Sequence, residues 1–196
     1  MSVLLIAGSP SERSRTAALL EATGQRLESR GVQVNRLRVR DLNPQALLLA
    51  DFGHPSVLAA QALVANASVL VVATPVYKAA YSGILKVFLD LLPQTAFKGK
   101  TVLPLATGGS PHHMLALDYA LRPVLQSLGA KHILPGIYAT DGQVALLPEG
   151  GHQIEPEIGA RLDEAVDTLV LENLIQGLSN AGRFQSVPFS EVRCSV

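Results

Sequence analysis

An open α/β fold, one parallel sheet with helices on both faces, is what this sequence predicts. Three observations carry that reading. Short apolar runs alternate with stretches of helical period along the chain. The central run Val69-Leu70-Val71-Val72-Ala73 is apolar throughout, as a strand buried on both faces should be. Three runs end in loops, Gly8-Ser9-Pro10, residues 74–83 and Thr107-Gly108-Gly109-Ser110, and open sheets place ligands at such loops.

In chain order, residues 3–7 are an apolar first strand. Residues 14–30 read as a helix with Ala17, Leu20 and Leu27 on one side. Residues 32–39 alternate apolar and polar as the second strand, 55–66 are a helix, and 69–74 are the third strand. Residues 83–92 form a helix stopped by Pro93, and 101–107 the fourth strand. Residues 113–128 form a helix ended near Gly129, and 132–139 the fifth strand. Pro104 and Pro135 count against the last two strands, since proline removes a ladder donor, but their spacing keeps both. Residues 156–178 form a long last helix with Ile158, Leu162, Ala165, Leu169 and Leu171 apolar. Residues 141–155 read as a loop without period. Five strands joined by right-handed crossovers fit the flavodoxin-like order 2-1-3-4-5, a three-layer sandwich. The expected organisation is one domain over 1–178 and a tail over 179–196, either flexible or docking on a partner subunit.

The chain has 196 residues, 48% hydrophobic and 16% charged, with 16 basic and 16 acidic side chains. That suits one globular domain with a sizeable core. No basic field exists to attract nucleic acid or an anionic membrane. The single cysteine, Cys194, permits neither an internal disulfide nor a cysteine-cluster metal site. No signal peptide or transmembrane run is present, so the expected location is the cytoplasm.

The first loop, residues 8–16, surrounds a helix start with Ser9, Ser11, Ser14, Thr16, Arg13 and Arg15. Helix N-termini carry unpaired N–H groups and favour anions, and hydroxyls with a guanidinium complete a phosphate site. Capping alone needs one hydroxyl. Gly8 lacks the further glycines of a dinucleotide fingerprint, and Gln94 stands where a P-loop beginning before Gly99-Lys100-Thr101 needs glycine. The second loop supplies Tyr77 and Tyr81 in a chain with four tyrosines and no tryptophan. With Pro75 and Val76 they offer a wall for a flat aromatic ring, and Lys78 is either a phosphate partner or a solvated charge. In the third loop Gly108 and Gly109 let backbone approach a ligand. His112 and His113 are adjacent and unaccompanied, so no metal is expected. No catalytic triad, carboxylate pair or activated cysteine emerges. A cofactor that carries its own chemistry accounts for that.

Taken together, residues 5–10, 73–83 and 103–109 closely resemble the NADPH-dependent FMN reductases, above all those serving alkanesulfonate monooxygenases. The likeness runs from residue 2 to about 178. It implies a homo-oligomer, dimer or tetramer, in which NADPH reduces FMN. The reduced flavin then leaves for a partner FMN-dependent monooxygenase that cleaves sulfonates in sulfur assimilation. The other readings are a quinone, azo or metal-ion reductase with permanently bound FMN, and a flavodoxin-type electron carrier. By position, the resemblance assigns Ser9, Ser14, Arg15 and Thr16 to the FMN phosphate. It assigns Pro75, Val76, Tyr77 and Lys78 to the ribityl chain and ring, and Thr107, Gly108 and Gly109 to the ring edge. The family often has arginine where this chain has Ser11, so either Arg13 takes that contact or the phosphate is held less tightly. Tyr119 matches an inserted tyrosine that makes a π-bulge at a subunit interface and bears on flavin transfer. Independently, Pro123 cannot donate to the carbonyl of Tyr119, and helices kink or bulge at such points.

Overall fold

A computed structural model describes the backbone of residues 2–181 and the side chains of residues 2–172. The main strands are β1 (Ser2–Ala7), β2 (Gln33–Arg38), β3 (Val69–Tyr77) and β5 (Thr101–Gly108), all parallel. The fifth position is shared by β6 (His132–Ile133) and β7 (Ile137–Thr140), both parallel to β5. The sheet therefore runs β2-β1-β3-β5-β6/β7, the flavodoxin-like order.

Strand alternation divides the core in two. Leu4, Ile6, Leu70, Val72, Val102 and Ala106 face α3 (Pro55–Asn66), α4 (Gly83–Asp90) and α5 (Arg122–Ser127). Val3, Leu5, Val69, Val71, Leu103 and Leu105 face α1 (Arg15–Ser29) and α6 (Pro156–Ala181). Two helical layers over one sheet are the expected sandwich. The central strands β1, β3 and β5 are mostly apolar because each is covered on both faces, whereas the edge strand β2 buries little beyond Leu37.

Departures from the expected elements have local causes. The fifth strand is broken at Leu134-Pro135-Gly136. Pro104 on β5 has no N–H to offer there, and a Cβ at Gly136 would lie 3.3 Å from the Pro104 carbonyl oxygen and 2.8 Å from Leu117. The expected helix over 113–128 is three pieces: a 3₁₀ turn at Pro111–Leu115, a π-helical turn at Leu117–Leu121, and α5. Its π register is set by Arg122 N–H donating to Leu117 O, five residues back. Pro123 follows, with no N–H to restore the four-residue register.

The expected loop over 141–155 is instead an antiparallel hairpin, β8 (Val144–Leu146) and β9 (His152–Ile154). Val144 is fully buried against the α1 side of the core, which fixes the hairpin there. A short helix, α2 (Pro44–Leu48), also stands where no element was expected. Its signal was present: Asn43 caps it by accepting from Ala46 N–H at 2.9 Å, and Pro44 occupies the first turn. The last helix runs to Ala181, past the expected boundary at 178; the rest of the expected tail, with Cys194, lies outside the described residues. No described helix is long and apolar enough to cross a membrane.

Candidate functional site

The three loops singled out in the sequence meet at the carboxyl edge of the sheet. They enclose a cavity of about 270 Å³. Ser9, Ser11, Arg13, Ser14, Arg15 and Thr16 come from the first loop; Pro75, Val76 and Tyr77 from the second; Thr107, Gly108 and Gly109 from the third. Of the residues expected to touch a cofactor, Lys78 and Tyr81 stand outside the lining. Two lining residues were not foreseen, Asp141 and Leu146, which come from the hairpin segment. That segment has no hydrophobic period, so nothing in the sequence marked it.

Buried hydrogen bonds lock the loops together. Thr16 Oγ1 and Thr107 Oγ1 lie 2.5 Å apart, joining the first loop to the third in a buried position. The Ser82 hydroxyl donates to the Gly8 carbonyl and accepts from Leu85 N–H, so the N-cap of α4 ties the second loop to the first. Ser82 N–H in turn donates to Thr74 Oγ1 at 2.9 Å. Gly8 N–H donates to Ala73 O at 2.8 Å, and a Cβ at Gly8 would lie 2.8 Å from Leu85 Cβ. Close packing of α4 on this turn thus requires glycine.

The helix start is arranged for an anion. Ser14 caps α1, accepting from Ala17 N–H at 3.0 Å while its own proton remains free to donate. Unpaired first-turn amides of α1 and its positive dipole end face the same cavity. Ser9 is buried and accepts from Ser11 N–H at 3.3 Å. The two guanidinium groups are held by the hairpin segment. Arg13 donates to Leu147 O at 2.6 Å, and Arg15 donates to Asp141 O at 3.1 Å with its Nη1 3.7 Å from the Asp141 carboxylate.

The second loop is a tight hairpin. Tyr77 pairs with Ala80 on the short strand β4 (Ala80–Tyr81), and the turn residues Lys78 and Ala79 have φ of 49° and 64°. Two successive left-handed residues are the geometry of a type I′ turn, usually given to Asn and Gly. The strain holds Tyr77 at the cavity mouth, half exposed, with Pro75 and Val76 buried beneath it. Tyr81 turns the other way and packs on the core, where burial pushes its hydroxyl pKa up. Of the two tyrosines, only Tyr77 reaches the site.

The third loop is braced by a residue that sequence reasoning missed. Tyr138 on β7 donates to Ser110 O at 2.6 Å, and its hydroxyl would lie 2.6 Å from a Cβ at Gly108. Only glycine fits there. Burial, and then the Asp141 carboxylate, raise the Tyr138 pKa, so the hydroxyl stays a donor across the neutral range. Gly109 leaves its face toward the cavity open, with Asp141 Oδ2 at 3.7 Å as the nearest atom to an added Cβ. No group of three His, Cys, Asp or Glu side chains among the described residues is placed to hold a metal.

The family model described as NADPH-dependent FMN reductase matches residues 1–145, which include all three loops. The chain belongs to the NADPH-dependent FMN reductase family. An FMN reductase (NADPH) of Pseudomonas putida is 51% identical over 86% of this chain and 86% of its own length. An FMN reductase (NADPH) of Escherichia coli strain K12 is 46% identical over 86% of this chain and 87% of its own. Among solved structures, the apo form of the NADH:FMN oxidoreductase EMOB superposes with a TM-score of 0.79 at 42% identity, covering 87% of this chain and 89% of that one.

Proposed function

We propose that the protein transfers hydride from NADPH to FMN at this cavity and releases reduced FMN to a partner monooxygenase of the alkanesulfonate type, in the cytoplasm. One observation carries the site assignment: a single cavity joins the N-terminus of α1, its hydroxyls and two guanidinium groups to the wall made by Pro75, Val76 and Tyr77. The first half suits a phosphate and the second a flat apolar ring. The donor set therefore fits FMN. Bound FMN supplies the hydride acceptor, so no side chain has to serve as acid, base or nucleophile.

The residues of this chain bind, orient and exclude water. In this reading Ser9, Ser14, Thr16, Arg13 and Arg15 hold the phosphate. Pro75, Val76 and Tyr77 border the ring, with Lys78 at the turn apex beyond it. Thr107, Gly108 and Gly109 offer backbone to the ring edge. At about 270 Å³ the cavity falls just below the roughly 300–1,000 Å³ usual for small-molecule sites. A cavity of that size would enclose only part of an FMN and would leave the rest accessible for exchange.

Tyr119 lies on the π-helical turn and is 79% exposed, beside exposed Met114 and Leu115. The turn packs against β4, the second half of the Tyr77 hairpin. We read this apolar patch as the interface between copies of the chain, a dimer or tetramer, through which Tyr119 acts on flavin transfer. Tyr119→Ala then keeps flavin binding and alters its release. A variant that exchanges FMN and turns over like the wild type removes that role.

The decisive experiment titrates NADPH oxidation with free FMN and follows flavin through gel filtration. Oxidation that saturates with added FMN, from protein that sheds its flavin, is the expected result. No flavin-dependent NADPH oxidation overturns the reading. Protein that stays yellow and reduces quinone without added flavin is instead a reductase with resident FMN.

A further inference from the structure

A second cavity, about 360 Å³, opens between α1 and β2 on the other side of the first loop. Ser9 and Ser11 line both cavities, so the two are neighbours around one turn. One wall of the second cavity carries Arg36, Arg38 and Arg40, and the opposite side carries Glu12 and Glu21.

These arginines are not equivalent. Arg36 is committed to two carboxylates: its Nε and Nη2 donate to Glu21 at 3.0 and 2.9 Å, and its Nη1 to Glu28 at 2.9 Å. It fastens α1 to the edge strand and has little left for a ligand. Arg40 is held loosely, 3.5 Å from Asp41 and 3.8 Å from Glu12, whose side chain is 81% exposed. The Arg38 side chain is exposed and makes neither a hydrogen bond nor a close ion pair with any described residue; its charge is felt only at longer range, by Glu21. Arg38 pairs in register with Ala7, the last residue of β1 before the binding turn. Its guanidinium therefore starts from the same carboxyl edge as the flavin cavity. Arg13 and Arg15 belong to that cavity and are already engaged by the hairpin segment.

NADPH differs from NADH only by a dianionic phosphate on the adenosine 2′-oxygen. An enzyme that prefers NADPH needs free cationic donors for that group, apart from those holding the FMN phosphate. The relatives named above use one nucleotide or the other, so the distinction is one this family can make. We propose that the cleft between α1 and β2 receives the adenosine end of NADPH, with Arg38 and Arg40 clamping its 2′-phosphate. The proposal rests on FMN occupying the neighbouring cavity. The nicotinamide then lies over the flavin while the rest of the dinucleotide passes the first loop toward β2.

The test uses Arg38→Ala, Arg40→Ala and the double variant, with both nucleotides at saturating FMN. The expected result is a KM for NADPH raised about tenfold or more per arginine, with kcat, the KM for NADH and the FMN dissociation constant unchanged. Arg38→Lys should recover part of the loss. Calorimetric titration of the purified protein with 2′,5′-ADP and with 5′-AMP reads the same site without turnover. The wild type should bind 2′,5′-ADP more tightly, and the double variant should bind the two alike. Equal losses with NADPH and NADH, or unchanged NADPH kinetics, overturn the proposal. Inorganic phosphate competing as well as 2′,5′-ADP overturns it too, since the cleft would then hold any anion. A wild type that oxidises no NADPH in the presence of FMN removes the functional reading instead, and the calorimetric preference still judges the cleft.

Discussion

Asp141 is the carboxylate among the described residues that line a cavity otherwise arranged for an anion. Its side chain is about half exposed and sits between Arg15 and Gly109. In the proposed binding mode a dianionic phosphate beside Arg15 would meet this charge, so Asp141 should lower affinity and favour release. Asp141→Asn keeps the backbone carbonyl that receives Arg15 Nε and removes the repulsion. FMN should then bind more tightly by about 1 kcal/mol, some fivefold, at low salt and less at high salt. Riboflavin, without a phosphate, should bind the two proteins alike, and flavin fluorescence quenching measures both. Thr16 acts in the opposite sense. It is almost fully buried and shares a hydrogen bond with Thr107. Thr16→Val leaves the Thr107 hydroxyl without that partner and should cost about 1–3 kcal/mol of stability in urea unfolding, with weaker FMN binding. Thr16 was legible because hydroxyls clustered before a helical period point to its N-terminus. Asp141 was not, because it reaches the site by a tertiary approach that no local pattern encodes.

The Lys78-Ala79 turn shows how an element is strained to present a residue. Both φ values are left-handed, and neither residue is glycine. The left-handed region costs an L-residue about 1–2 kcal/mol, so Ala79→Gly should stabilise the protein by up to about 1 kcal/mol after the loss of chain stiffness. If Tyr77 depends on a rigid turn, the same variant should weaken FMN binding while raising the unfolding midpoint. A variant less stable than the wild type would show that the turn is not strained. α3, which opens on Pro55, was legible to the residue, and the apolar runs of β1 and β5 nearly so, while β3 runs on to Tyr77, past the expected end at 74. The hairpin β8–β9 was not, because its strands have three residues each and its burial rests largely on Val144. The π-helical turn was half legible. Pro123 announces an irregularity, but the five-residue register also needs Arg122 N–H to choose Leu117 O, a choice settled by packing.

At the scale of the whole molecule, the sheet brings together loops that are far apart in sequence. The order 2-1-3-4-5 puts β1, β3 and β5 side by side, so their three carboxyl ends meet whatever the local sequence. The site was readable from the sequence for that reason: alternation gives topology, and topology gives adjacency. At one end of the sheet, β2 has a free edge and few buried side chains, so charges add to the backbone ladder that joins it to β1. Arg36 makes that contribution through Glu21 and Glu28 on α1. The hydrogen bond from Arg36, with its charge, lowers the Glu21 pKa from its ordinary value of 4.5 against the opposing effect of burial. A carboxylate whose pKa is lower folded than unfolded releases its proton more readily in the native state. Its stabilisation is complete above pH 4.5 and is lost as pH falls through the lower folded value. Glu21→Gln should therefore melt below the wild type at pH 7 by a small amount, since the pair is largely solvent-screened. The gap should narrow as pH drops below 4.5, where the wild type loses the same charge. Melting temperatures of the two proteins between pH 7 and pH 3 measure it. Two curves that stay parallel across that range would mean that Arg36 gains nothing from the ionised Glu21, and that the β1 ladder, packing and Glu28 hold β2 without it.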